Sequence, residues 1–210
     1  MAEVKVGPTV TSIETTASYC WCYLETINLP NTITTIGHEV FSGYRLLTSV
    51  TLPNSITNLG YTVFYNCSSL TSFTLLSNIT TLGNSAFYGC TLLSAITLPS
   101  TITTIGDDVF WIYSLLMFIT LLSKITTLGN YVFVGYSSLA SITLHSTITT
   151  IGDNVFYECS SLDLITLPST INTLGNGVFC RCILLTSITL PSTITTLGYN
   201  VLYGCTSLFA

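Results

Sequence analysis

The chain has 210 residues, 49% of them hydrophobic and only 6% charged, which is the reverse of a disordered chain's balance. Its four basic residues, Lys5, Arg45, Lys124 and Arg181, stand against nine acidic ones for a net charge of −5, too few cations to hold a nucleic acid through its phosphates. The longest apolar stretch, Phe110 to Leu122, falls short of the roughly 20 residues that a membrane-spanning helix needs.

The chain opens Met-Ala-Glu-Val-Lys-Val. This is not a basic patch followed by an apolar run, so no signal peptide is expected. A repeat begins at once. Residues 4–26 form a degenerate first unit, with Val4, Val6, Val10, Ile13, Ala17 and Leu24 at positions 1, 3, 7, 10, 14 and 21. Residues 27–210 form eight regular 23-residue units without insertion or deletion. Each starts with an apolar residue followed by Thr (Asn in the first) and Leu, from Ile27-Asn28-Leu29 through Val50-Thr51-Leu52 to Ile188-Thr189-Leu190. Position 7 is always Ile, position 11 always Gly and position 21 always Leu. Position 15 is Phe until Leu202 replaces it in the last unit.

Within a unit, Ile and Leu alternate around Thr, which predicts a strand with one buried face. Proline at position 4 (Pro30, Pro53, Pro99, Pro168, Pro191) ends it. Ile-Thr-Thr-Ile at positions 7 to 10 predicts a second extended segment. Gly at position 11 suggests a corner with positive φ. Asn84, Asp107, Asn130, Asp153 and Asn176 at position 12 then suggest N-caps for a short helical turn. In that turn positions 14, 18 and 21 share one face. One such coil cannot bury its apolar side, but stacked coils can. With strands about 4.8 Å apart, nine coils make a rod roughly 43 Å long. The expected fold is therefore a solenoid of 23-residue period, with a parallel β-sheet on one face and a second extended segment and a helical turn per coil.

The unit Leu139 to Leu162, with Ile-Gly, then Phe, then Cys-Ser-Ser-Leu at fixed offsets, resembles the BspA-type leucine-rich repeat. The match covers residues 27–210 strongly and 4–26 weakly. The resemblance implies a leucine-rich-repeat solenoid of α/β type, an extracellular or cell-surface location, and roles in adhesion and protein binding. It carries no catalytic residues over.

The residues themselves point away from chemistry. Neither a nucleophile–base pair nor a phosphate loop is visible, and no cofactor, metal or enzymatic activity is expected. His38 and His145 occupy different repeat positions several coils apart. Position 18 alternates between Cys (Cys67, Cys90, Cys159, Cys182, Cys205) and Tyr (Tyr44, Tyr113, Tyr136), which suits packing better than disulfides. Cys20-Trp21-Cys22 and Cys180-Arg181-Cys182 lack zinc spacing. Asp107-Asp108 and Asp153-Asn154 offer too few carboxylates for calcium. Asn66 and Asn78 begin N-glycosylation sequons. The fifth unit, residues 96–118, carries an unusual apolar group, Trp111, Ile112, Met117 and Phe118, readable as local repacking or as a lateral interface patch.

Both ends keep the core pattern, through Val4, Val6 and Val10 at one and Ile194, Leu197, Val201, Leu202, Leu208 and Phe209 at the other. Uncapped repeats with matching edges suggest head-to-tail stacking into fibres. The expected partners are thus the chain itself, another protein or a glycan. The expected function is structural and self-associating, with a monomeric adhesin-type binding module as the alternative. A third possibility is an ice- or carbohydrate-contacting array, which would need two parallel Thr rows on one face.

Overall fold

The computed structural model describes residues 5–15, 23–74, 78–111, 119, 121 and 124–209. Each 23-residue unit closes one coil, and the coils stack as a parallel β-solenoid. The first strand of a coil covers positions 23, 1 and 2, as in Ser49–Thr51, Ser72–Thr74 and Ser141–Thr143. Its middle residue is buried and its flanks are exposed, as the alternation requires. Neighbours pair in parallel, Ser141 with Leu164, Ile142 with Ile165 and Thr143 with Thr166. After the strand the position-4 carbonyl accepts the position-7 N–H, at 3.2 Å for Ile56 to Pro53 and 3.1 Å for Ile171 to Pro168.

The second strand, at positions 9 and 10, recurs from Ser12–Ile13 to Thr196–Leu197. These strands form a three-stranded and a six-stranded parallel sheet. Thr104, Thr127, Thr150 and Thr173 lie in register along it.

The third side differs from the helical turn expected there. Among the described residues the only helix is a short 3-10 segment, Thr206–Phe209. Positions 12 to 17 instead form successive turns with left-handed residues at positions 13 and 17. Position 13 has φ between 54° and 59° in all eight coils from Glu39 to Asn200. Position 17 is Gly43, Asn66, Gly89, Gly135, Glu158, Arg181 or Gly204, all with positive φ. This geometry turns the N–H groups of positions 13, 15 and 17 out of their own coil. They donate to carbonyls of the next one, as in Tyr131 to Asp153 (2.8 Å), Phe133 to Val155 (2.9 Å) and Gly135 to Tyr157 (2.8 Å). A helix would have spent those donors inside the coil.

Two local expectations change with it. Gly at position 11 does not have positive φ. It allows close approach: a Cβ on Gly60 would lie 2.5 Å from the carbonyl carbon of Gly37. The Asn and Asp side chains at position 12 do not cap a helix. Each accepts the N–H of position 12 in the following coil, from Asp107 to Asn84 (3.1 Å), Asn130 to Asp107 (2.7 Å), Asp153 to Asn130 (2.7 Å) and Asn176 to Asp153 (2.7 Å). His38 takes the same role through Nδ1, 2.8 Å from the N–H of Tyr61, whose ring stacks on it at 4.7 Å.

The core runs the length of the rod. Phe41, Phe64, Phe87, Phe110, Phe133, Phe156 and Phe179 form one column of stacked rings with centroids 5.4–5.8 Å apart. The position-7 isoleucines from Ile33 to Ile171 are fully buried. The described cysteines at position 18 are free and buried. Each thiol donates to the carbonyl of a column phenylalanine, Cys159 to Phe133 and Cys182 to Phe156, both at 3.1 Å. Where Tyr136 replaces Cys, its ring meets Phe133 edge-on at 5.6 Å. Burial pushes the thiols up, that of Cys67 to about 12, so they remain protonated and act as small packing groups.

Candidate functional site

Hydroxyl groups cover the two sheet faces, but they divide into two kinds. Those at position 6 hold coils together: Thr101 Oγ1 donates to the Ile79 carbonyl (2.7 Å), Thr147 to Ile125 (2.8 Å) and Thr170 to Ile148 (2.8 Å). Position 8 does so too, through Thr103 to Thr80 (3.2 Å) and Thr149 to Thr126 (3.3 Å). At position 2, by contrast, Thr51, Thr74, Thr97, Thr143, Thr166 and Thr189 are exposed and make no side-chain bond among the described residues. At position 9, Thr35, Thr81, Thr104, Thr127 and Thr150 are likewise free. The second sheet thus carries two adjacent Thr rows, at positions 8 and 9, with the hydroxyls of one turned to the backbone and those of the other open.

Beside this free Thr row, position 23 carries one large exposed apolar side chain among the described residues. Leu164 is 56% exposed at position 23, between Ser141 and Ser187. Shallow grooves of about 410 Å³ and 390 Å³ flank it, bordered by Thr143 and Thr166 on one side and by Thr166 and Thr189 on the other. Sequence reasoning missed Leu164; the signal was its departure from the Ser that fills position 23 in coils on either side.

The other sequence-derived sites fall as follows. Trp111 is half-buried on the turn side, whereas Ile112, Met117 and Phe118 lie outside the described residues. Val4 also lies outside them; Val6 and Val10 are half-buried against the core. At the other end Val201 is buried, Ile194, Leu202 and Leu208 are half-buried and Leu197 is 56% exposed. Phe209 closes the 3-10 segment. Asn78 is exposed, and its Nδ2 donates to the Asn54 carbonyl at 2.6 Å. Asn66 is half-buried in a left-handed turn with its Oδ1 against Gly89. Cys20 and Cys22 are not among the described residues.

Among the described residues no three His, Cys, Asp or Glu side chains gather as metal ligands, and no helix is long and apolar enough to cross a membrane. Among the described residues, Asp108 is an acidic group whose surroundings work against it. It sits at a left-handed position with φ 56°, and its Oδ1 is buried without a hydrogen-bond partner. Burial, and then the neighbouring Asp107, raise its pKa. An acid with a raised folded pKa destabilises the fold when ionised, and that cost fades as pH falls through the folded value. Asn occupies the same position at Asn154 and Asn200. Asp108→Asn should therefore raise Tm at neutral pH, and its advantage over wild type should shrink as melts are taken toward about pH 4. An advantage that stays constant over that range would contradict the carboxyl as its source.

The BspA-type leucine-rich repeat region model matches residues 11–139 and 111–209, in six copies. The chain belongs to the BspA-type leucine-rich repeat family. Its fold is shared with solved leucine-rich repeat proteins. One from Bacteroides ovatus superimposes with a TM-score of 0.59 at 23% identity, covering 97% of this chain and 70% of that one. A leucine-rich cell surface protein from Faecalibacterium prausnitzii gives 0.57 at 22%, covering 97% and 72%. The pneumococcal vaccine antigen PcpA gives 0.58 at 20%, covering 90% and 50%. No curated protein sequence matches. The BspA-type signature thus accounts for the coil.

Proposed function

We propose that this BspA-type repeat protein is a non-catalytic cell-surface protein that acts by association, with copies of itself end to end and with protein or glycan partners across its sheet faces. The observation that carries the reading is the exposure of Leu197, on a row that every inner coil buries from Ile36 to Leu174. Ile194, Leu202 and Leu208 are left only half-covered beside it. Because each coil repeats its neighbour in register, the surface that covers these side chains best is another coil of the same pattern. The first coil of a second copy offers one, with Val10 half-buried on the row of Ile194. The free Thr rows at positions 2 and 9 remain available along such a stack. The surface location is supported by the relatives named as a cell surface protein and a vaccine antigen.

Sedimentation velocity from micromolar to millimolar concentration, with negative-stain electron microscopy, tests the self-association. Wild type should grow with concentration into linear particles, and Leu197→Glu, at an exposed position, should keep the fold and shift the distribution to monomer. A wild-type chain that stays monomeric throughout would overturn the end-to-end reading.

A further inference from the structure

The turn side of the rod carries a feature that neither the coil nor its stacking requires. Tyr65, Tyr88 and Trp111 occupy position 16 in three successive coils, and Tyr131 continues the row from position 13 of the next. Ring centroids lie 4.8 Å apart for Tyr65–Tyr88, 5.6 Å for Tyr88–Trp111 and 5.2 Å for Trp111–Tyr131. Unlike the phenylalanine column, these rings are only half-buried. Three coils manage without such a ring, with Ser42, Val134 and Cys180 at position 16, Tyr157 and Tyr203 fill it in the two others, and backbone bonds already join the coils on this side. A coil can thus close without an aromatic residue here, and a contiguous half-buried run of four rings is a candidate contact surface.

The strip ends in a groove. At Val134 position 16 becomes small, and a hollow of about 240 Å³ opens, lined by Trp111, Tyr131, Val134, Asn154 and Tyr157. That is below the roughly 300–1,000 Å³ of sites for drug-sized ligands, so it holds about one ring. Three aromatic residues wall it, Val134 lines its base, and the Asn154 carboxamide, set against Gly177, supplies a polar group with no side-chain bond of its own. No charged residue lines it. Glu158 and Arg181, beside Tyr157, neutralise each other at 2.8 Å.

We infer that this groove, where the row of stacked rings ends, binds one pyranose ring of a neutral glycan. A pyranose presents an apolar C–H face, which the electron-rich face of an aromatic ring attracts, and a rim of hydroxyls for amide and phenol groups. A charged ligand would find no counter-charge here. A purely apolar one would leave the Asn154 amide unpaired. The inference is independent of end-to-end stacking, since the groove lies on the side of the rod.

The test uses the full chain in a Trp21→Phe background, so that emission reports Trp111. The probes are methyl glycosides of glucose, galactose, mannose and N-acetylglucosamine, with cellobiose and chitobiose. At least one should give a saturable emission shift. By calorimetry, Trp111→Ala and Tyr131→Ala should each weaken binding at least about tenfold, with thermal melts verifying the fold. Tyr203→Ala, which removes an exposed position-16 ring far from the groove, should leave binding unchanged. No saturable response to any probe, or equal losses in Tyr203→Ala and Trp111→Ala, would overturn the site.

Discussion

Gly129→Ala should destabilise the rod by about 3 kcal/mol or more, at the upper end of what inserting one methyl group does to a packed interior. A Cβ at that position would lie 2.5 Å from the carbonyl carbon of Gly106, 2.6 Å from its oxygen and 2.7 Å from Asp107 Oδ1. The first two are backbone atoms of the preceding coil and cannot rotate away. Relief must come from separating two coils whose strands sit about 4.8 Å apart. Separation would stretch the 2.9 Å bond from Gly129 N–H to the Ile105 carbonyl and the pairing of Thr127 with Thr104 and Leu128 with Ile105. Gly43→Asn provides the contrast. Gly43 has φ 78° and nothing within 4 Å of an added Cβ, and Asn66 fills the same position one coil later at φ 56°. That substitution should stay within about 0.5 kcal/mol of wild type. Urea titration of the pair separates close approach from backbone freedom as the reason for glycine at position 11. Equal, small effects would remove close approach.

The rows that face the axis were legible in the sequence because burial acts on single positions. Ile at position 7, Phe at 15 and Leu at 21 recur for one reason, and each is buried wherever an inner coil is described. What happens between coils was not legible. Positions 14, 18 and 21 fit a helical face, yet Val40, Tyr44 and Leu47 reach the core from a chain of turns. The left-handed residues in those turns include Glu39, Tyr131 and Arg181, types that carry no turn signal. Their conformation follows from where the N–H groups of the coil must point, which only the neighbouring coil determines. The same holds for Asn130 and Asp153, whose side chains bond to the next coil rather than to their own. Trp111 shows the limit for function. Along the chain it groups with Ile112, Met117 and Phe118; in space it meets Tyr88 at a tilt one coil before and stacks on Tyr131 one coil after.

Phe156→Ala should cost about 3–5 kcal/mol, the usual range for deleting a buried aromatic side chain. Phe156 is fully buried, and its ring stacks on Phe133 at 5.6 Å and on Phe179 at 5.5 Å, so both faces lose a partner. Each such pair contributes about 0.5–1.5 kcal/mol beyond burial. At roughly 2–4 °C per kcal/mol for a chain of this size, Tm should fall by about 6–20 °C. The rod is quasi-one-dimensional, so stability passes from coil to coil through nearest-neighbour contacts. A gap in the phenylalanine column therefore weakens two interfaces at once. It should split one cooperative urea transition into two, one for the coils before Phe156 and one for those after. Phe156→Leu mimics Leu202, which occupies the same row in the last coil, and should cost far less and keep a single transition. If Phe156→Ala instead melts as one transition within about 1 kcal/mol of wild type, the column is not what joins the coils, and the hydroxyl and backbone ladders on the outside would have to carry that role.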